Sequence, residues 1–245
     1  WLCYWSMPIA SWPGIGPLAI QLSGVVQAEE QLHELLVGDL VGIEGHLDHF
    51  GMDADEVEEA LARSGISCAL TAGMDLTSSR KAVALAASSP RVLGAIGLHP
   101  WNVTSDWVTL QDEFRLLAEH DHCAAISEVG LDSNFVDIPQ SLQREVLKWF
   151  VQLAQRAGLA MVLHMQVPVA ELLELWTGIE GPPPPAAIHG FFGTAADAQA
   201  LLDHGFWISL GTASTGYFGG PAVEDDVIRM VPEARLLIDS DAYHP

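Results

Sequence analysis

Glu44, His46 and Asp48 stand within five residues of one another, and comparable groupings recur further on. They are Gly97-Leu98-His99-Pro100-Trp101, Glu128-Val129-Gly130-Leu131-Asp132, His164, His189-Gly190-Phe191-Phe192-Gly193 and Asp239-Ser240-Asp241. Neutral imidazole nitrogens and carboxylate oxygens are the donors that Zn²⁺, Mn²⁺ and similar ions take in hydrolytic sites that keep a position open. Two ions held about 3.5–4 Å apart by a shared carboxylate could activate water and neutralise a developing oxyanion. One histidine of this kind is more often a hydrogen-bonded structural residue. Six such segments are more than 10 His and 32 acids scattered over 245 residues would supply by chance.

These segments share a place in the chain's rhythm. From Val41 onward, short apolar runs alternate with longer stretches of helical periodicity, the pattern of repeated βα units around a parallel sheet. The eight runs are 41–44, 66–71, 92–96, 124–127, 160–163, 185–188, 206–209 and 235–238. The helical candidates lie at about 53–64, 77–88, 105–120, 140–157, 167–176, 194–204 and 223–230. Thr77, Ser105, Ser141 and Thr194 stand at or near helix starts, where their hydroxyls could cap. Gly65, Gly158 and Gly205 follow helix ends, where a left-handed residue is needed. Each chemical segment falls just after a run, and in parallel barrels reactive groups sit at the C-terminal ends of strands. The expected fold is a (β/α)8 TIM barrel; a doubly wound open sheet would show the same alternation. Only seven residues follow the eighth run, so a barrel lacking its last helix is expected, with a C-terminally truncated domain over 41–245.

Residues 1–28 carry no charged side chain, and Val26-Gln27-Ala28 resembles a small-residue cleavage site. Pro8, Pro13, Gly14, Gly16 and Pro17 interrupt the segment, which argues against a signal peptide or a spanning helix. Residues 1–40 are read as a poorly ordered extension or a non-native leader, and a first residue Trp1 rather than Met points to a missing start. The formal net charge of −22 and the scatter of the ten basic residues argue against an extended nucleic-acid-binding surface or an anionic membrane partner. Three cysteines with no CxxC spacing argue against a disulfide framework or a thiolate metal site, and a reducing, cytoplasmic compartment is expected. The tetraproline Pro182–Pro185 reads as a rigid loop, because the βα rhythm continues on both sides of it.

Taken in order, His46-Leu47-Asp48, Gly97-Leu98-His99-Pro100, Glu128-Val129-Gly130-Leu131-Asp132, the strand-five His164, His189-Gly190-Phe191-Phe192-Gly193 and Asp239-Ser240-Asp241-Ala242 resemble the TatD family of metal-dependent hydrolases over about residues 43–245. Gln143 and Gln152 fall on a helix of similar pattern in that family. The resemblance implies an amidohydrolase-like barrel with one or two divalent ions (Mn, Mg or Zn) and phosphoester hydrolysis by metal-activated water, often at DNA ends. It implies metal ligands at Glu44, His46, Glu128, His164, His189 and Asp241, with Glu128 bridging and Asp241 also taking a proton from water.

The chain departs from the family pattern in two places besides its end. Glu44 stands where the first of two strand-one histidines is usual, and Gly42 where an aspartate is usual. Glu44 can supply a harder oxygen donor, or it can simply sit at the rim. Gln166 occupies the place of an arginine that meets phosphate, and an amide is a weak substitute for a guanidinium fork.

His99, Trp101 and Gln166 are read as substrate-binding, with a packed His-Pro-Trp turn as the alternative for the first two. Phe191, Phe192, Tyr217 and Phe218 could wall the mouth, although packing beneath the loops suits at least two of them. His49 is an additional candidate, whereas His33, His120, His122 and His204 read as solvated or packing residues. The substrate is a small molecule or a nucleic-acid end. Alternative readings keep the metal but act on an amide, lactone or ester, or bind the metal without turnover.

Overall fold

The computed structural model describes residues 40–42, 46–47, 52–64, 66–134, 137–211, 213–215 and 222–239. Expectations for residues 1–39, Glu44, Asp48, His49, Gly65, Tyr217, Phe218, Ser240 and Asp241 lie outside them. Eight parallel strands follow one another in chain order. They are β1 Leu40–Gly42, β2 Ile66–Ala72, β3 Val92–Ile96, β4 Cys123–Asp132, β5 Ala160–Gln166, β6 Ala186–Ile188, β7 Trp207–Leu210 and β8 Leu236–Ile238. Every neighbouring pair from β1/β2 to β7/β8 is hydrogen-bonded in parallel. The outer strands β1 and β8 come into contact, so the sheet curls round on itself. This is the TIM-barrel arrangement, and the strand positions match the eight apolar runs.

The intervening helices are α1 Ala54–Arg63, α2 Leu76–Ser88, α3 Gln111–Ala118, α4 Gln140–Ala157, α5 Val169–Thr177, α6 Ala195–Asp203 and α7 Asp225–Met230. Thr194 caps α6 as expected, in a reciprocal box with Asp197. The other proposed caps are displaced. The α2 cap is Asp75, not Thr77, because its carboxylate accepts the Ser78 backbone N–H at 2.7 Å. Helix α4 starts after Pro139, so Ser141 lies inside it, and there is no side-chain cap. The stretch expected as one helix from Ser105 divides into a 3₁₀ turn, Trp107–Leu110, followed by α3. Gly158 and Gly205 adopt left-handed φ values of 69° and 84°, as helix ends require.

Side chains on the strands sort into two sets. Leu70, Ala95, Ala125 and Val162, from four consecutive strands, form one buried group inside the sheet's curl. Ile96, Ile126, Met161, Leu163, Ile188 and Ile208 join the larger core shared with helical residues such as Phe114 and Phe150. Strand alternation therefore places His164, two residues beyond Val162, on the inner side.

Strand β4 is longer than expected, running to Asp132 and carrying Glu128 within it. The pairing with β5 jumps from Ser127↔Val162 to Val129↔Leu163, so Glu128 is the extra residue of a bulge. Its φ is 51°, the one positive value at a non-glycine among the described residues. The bulge inverts the alternation. Ile126 faces the helices before it, and Val129 and Leu131 face them after it. Glu128, Gly130 and Asp132 are thereby turned toward the inside of the barrel.

Candidate metal centre at the mouth of the barrel

Glu128 is 2% exposed and lies at the middle of a group of imidazoles. Its Oε1 is 3.6 Å from His46 Nε2 and 3.7 Å from His189 Nε2, and its Oε2 is 3.9 Å from His99 Nε2. His164 Nδ1 is 3.3 Å from His189 Nε2, so the described donors form one connected set. Five of the proposed site residues, His46, His99, Glu128, His164 and His189, are thus brought together. Glu44 and Asp241, the other two proposed metal ligands, lie outside the described residues.

Two glycines permit this convergence. A Cβ on Gly130 would stand 1.8 Å from the His164 carbonyl oxygen, and one on Gly97 would stand 1.8 Å from that of Ser127. Only glycine lets β3, β4 and β5 approach so closely beside Glu128 and His164. Left-handed backbone at a residue such as glutamate costs roughly 1–3 kcal/mol and persists where surrounding structure over-determines it. Here the burial of Glu128 and the flanking β4/β5 pairing do so.

The donor chemistry fits a cation. His46 Nδ1 lies 3.1 Å from the Ala72 carbonyl oxygen, which can only accept, so Nδ1 carries the hydrogen. In the neutral ring Nε2 then presents a lone pair toward Glu128 Oε1, 3.6 Å away. Two acceptors cannot hydrogen-bond each other, but that spacing suits two donors each about 2.0–2.2 Å from a shared ion. Among the described residues, no three of these groups yet close on a single point as a finished cage.

His99 is 2% exposed and receives the Trp101 backbone N–H on Nδ1 at 3.2 Å. Burial pushes its pKa down to about 3, helped by His164 and His189 and opposed by Glu128 and Asp132. It is therefore a neutral imidazole with Nε2–H turned toward Glu128. Trp101 is 45% exposed, with its ring 4.6 Å from that of His99 in an edge-on arrangement. Gln166 stands two residues beyond His164 on β5, but its amide oxygen receives Asn134 Nδ2–H at 3.3 Å. It is bonded to Asn134 through its side chain and to Ser133 through its carbonyl. Phe191 is fully buried while Phe192 is 37% exposed, which divides that pair between packing and the mouth. His120, His122 and His204 are solvent-exposed, as expected.

Two described carboxylates were named in the motifs without being given a role. Asp239 is 5% exposed, and its Oδ2 accepts from the Gly190 N–H at 2.8 Å and from Ser209 Oγ at 2.5 Å. Asp132 is 1% exposed and accepts from Trp101, His164 and the Asn134 N–H. Burial alone would raise the Asp132 pKa, but those hydrogen bonds outweigh it and hold the carboxyl below its usual range. An acid at or just past the end of a strand is the sequence signal that could have marked each of them.

The surface is consistent with the charge. Arg63, Arg80, Arg91, Arg115, Arg144 and Arg229 each pair with a neighbouring carboxylate, leaving no cluster of uncompensated arginines among them. Among the described residues no helix is long and apolar enough to cross a membrane.

Comparison with known proteins places this architecture. An uncharacterized metal-dependent hydrolase TatD of Mycobacterium tuberculosis is 29% identical over 213 residues, covering 83% of this chain and 79% of the relative. A 3'-5' ssDNA/RNA exonuclease TatD of Enterobacter lignolyticus is 29% identical over 203 residues, covering 82% of this chain and 77% of the relative. The crystal structure of YjjV, a TatD homologue from Escherichia coli K12, superposes with a TM-score of 0.69 at 24% identity, covering 82% of this chain and 79% of that one. The model of the family described as TatD related DNase matches residues 44–245. A chain matched over that span, with a barrel shared with a TatD homologue, belongs to the TatD related DNase family and is a hydrolase.

Proposed function

We propose that this hydrolase uses divalent metal to cleave phosphoesters, with the ends of nucleic-acid strands or small phosphoesters as substrates. The observation that carries the reading is the pair of imidazole nitrogens flanking Glu128 Oε1 at 3.6 and 3.7 Å. The name of the Enterobacter relative, an exonuclease on single-stranded DNA and RNA, supports the substrate class. His46, Glu128, His164 and His189 would hold the metal, with Glu44 and Asp241 completing the set. When bound, a divalent ion supplies Lewis acidity, bringing a water's pKa near 7 and neutralising charge on the phosphoryl oxygens.

The chain's own residues supply the rest. The bulge holds the Glu128 carboxylate inward without a search over rotamers on an exposed loop. His99, neutral at physiological pH, offers an N–H donor to a substrate oxygen without the like-charge repulsion an imidazolium would feel beside a cation. Trp101 offers an aromatic surface at the entrance, on which a nucleobase can stack. Gln166 lines the rim on the His164 side. Asp241 is assigned the proton of the attacking water. Acidic surroundings favour a short substrate end over a long duplex, since most arginines are already paired with carboxylates. Free, buried thiols at Cys68 and Cys123 accord with the cytoplasm as its compartment.

A second reading, hydrolysis of an amide, lactone or ester at the same centre, draws on Gln166, whose amide is bound to Asn134 where a phosphate-binding cation would be useful.

The test is elemental analysis after reconstitution with Mn²⁺ or Zn²⁺, followed by assays on 3′-labelled single-stranded oligonucleotides, nitrophenyl phosphodiesters, lactones and amides. Metal retention that is lost in Glu128→Ala, together with cleavage of the phosphoesters, is the expected result. Turnover of lactones or amides alone would select the second reading, and absence of bound metal would sink both.

A further inference from the structure

Asp132 is absent from the residues assigned above, yet its backbone N–H, its carbonyl and both carboxylate oxygens are all hydrogen-bonded. Gln143 clamps its backbone from both sides: Gln143 Oε1 accepts the Asp132 N–H at 2.8 Å, and Gln143 Nε2 donates to the Asp132 carbonyl at 3.0 Å. Gln140 Nε2 donates to the same carbonyl at 2.7 Å. With the backbone held, the carboxylate is aimed. Its Oδ1 takes the Asn134 N–H at 2.7 Å, and its Oδ2 takes Trp101 Nε1–H at 2.7 Å and lies 3.0 Å from His164 Nε2.

The chemistry of these partners fixes the protons. An ionised carboxylate only accepts, so the His164 nitrogen facing it must be the one that carries hydrogen. In the neutral ring the lone pair is then on Nδ1, the atom that faces His189 Nε2 at 3.3 Å. A carboxylate behind a metal-binding imidazole sets its tautomer and ring angle and raises its basicity. The same oxygen also holds the half-exposed indole of Trp101, whose ring stands edge-on to His164 at 6.2 Å and 78°.

Building on the metal-centre reading above, we propose that Asp132 is a positioning residue. One carboxylate oxygen presents the His164 Nδ1 lone pair to the metal and also anchors Trp101 at the mouth. The anchoring partners differ in what they affect: loss of the indole hydrogen should leave the tautomer intact, whereas loss of the carboxylate charge should not.

The first measurement is ring ¹⁵N NMR of His164 in the metal-free protein. A single Nε2–H tautomer is expected in the wild type, and an Nδ1–H tautomer there would overturn the proposal without any variant. Asp132→Asn should mix the tautomers and weaken Mn²⁺ or Zn²⁺ binding, measured calorimetrically with the metal alone, by roughly 10–100-fold. Trp101→Phe should preserve both the tautomer and the metal affinity. Unchanged tautomer and affinity in Asp132→Asn would also overturn it. A wild-type protein that shows the Nε2–H tautomer but binds neither ion would remove the metal-centre reading and the metal-directed part of this one. The tautomer and its dependence on Asp132 would stand by themselves.

Discussion

Asp239, at the end of β8, accepts the backbone N–H of Gly190 at 2.8 Å, and so ties the last strand to the residue that directly follows His189. Gly190 has a φ of 55°, a turn conformation that this hydrogen bond helps to hold. The same Asp239 oxygen takes Ser209 Oγ from β7, so three strand ends converge on one buried carboxylate. Asp239→Ala leaves a buried N–H and a hydroxyl without their charged acceptor. A loss of about 2–3 kcal/mol is expected in urea unfolding, with weaker metal binding from the displaced His189. Wild-type stability in that variant would show that the carboxylate holds nothing.

Glu128 supplies a sharper comparison. Glycine in an ordinary strand is less stable than alanine, but at a φ of 51° the order should invert. Glu128→Gly is therefore expected to be more stable than Glu128→Ala by about 1 kcal/mol, while both lose metal. Equal or reversed stabilities in denaturant titrations would mean that the bulge relaxes when the carboxylate goes.

At Gly130 the opposite holds, because an added methyl group meets the His164 carbonyl oxygen at 1.8 Å. Backbone must move to admit it. Gly130→Ala is expected to cost about 3 kcal/mol or more and to disturb the His164 ring signals. Gly158→Ala, at an open left-handed helix end, should cost only about 1–2 kcal/mol and leave the site untouched.

The two described cysteines report on burial. Desolvation raises the Cys68 thiol to about 11, against the lowering pull of Arg91, and raises Cys123 to about 12, against its hydrogen bond to Ala125. Both should resist alkylation in the native protein at pH 8 and react once it is unfolded, as peptide mass spectrometry would read directly. Folded thiols hold their protons more tightly than unfolded ones, whose pKa is 9.0. Their contribution to stability is therefore complete below pH 9 and is lost as pH rises from about 9 through about 11 for Cys68 and about 12 for Cys123. Rapid native labelling at pH 8 would contradict the burial.

Gln166→Arg tests the substrate class. A guanidinium two residues beyond His164 would add a charge-assisted contact to a phosphate, raising kcat/KM on phosphodiesters by about tenfold with little change on neutral esters. No gain on either class would show that the rim position does not meet substrate.

Much of this molecule was legible before any coordinates. The hydrophobic rhythm located all eight strands, and the strand-end rule selected His46, His99, His164 and His189, because βα periodicity and side-chain alternation are local properties of the chain. Local signals went astray at Thr77, Ser105 and Ser141, where a neighbouring acid, a 3₁₀ turn or a proline defined the helix start instead.

The sequence alone also determined the list of donor types and the acidic charge, since both are composition. It put Glu128 at a strand end and, by resemblance, among the ligands, but it could not show which way Glu128 and Asp132 turn. Simple alternation along β4 puts them on the same side as Ile126, facing the helices. They turn inward because one residue is inserted as a bulge, a conformation unfavourable by itself and held by β5 pairing, by the close approach that Gly130 allows, and by burial against histidines from other strands. Those contacts join residues far apart in the chain. For that reason only the tertiary structure decided how Glu128 turns to face the histidines, which imidazole nitrogen is left with its lone pair, and that Asp132 stands behind His164.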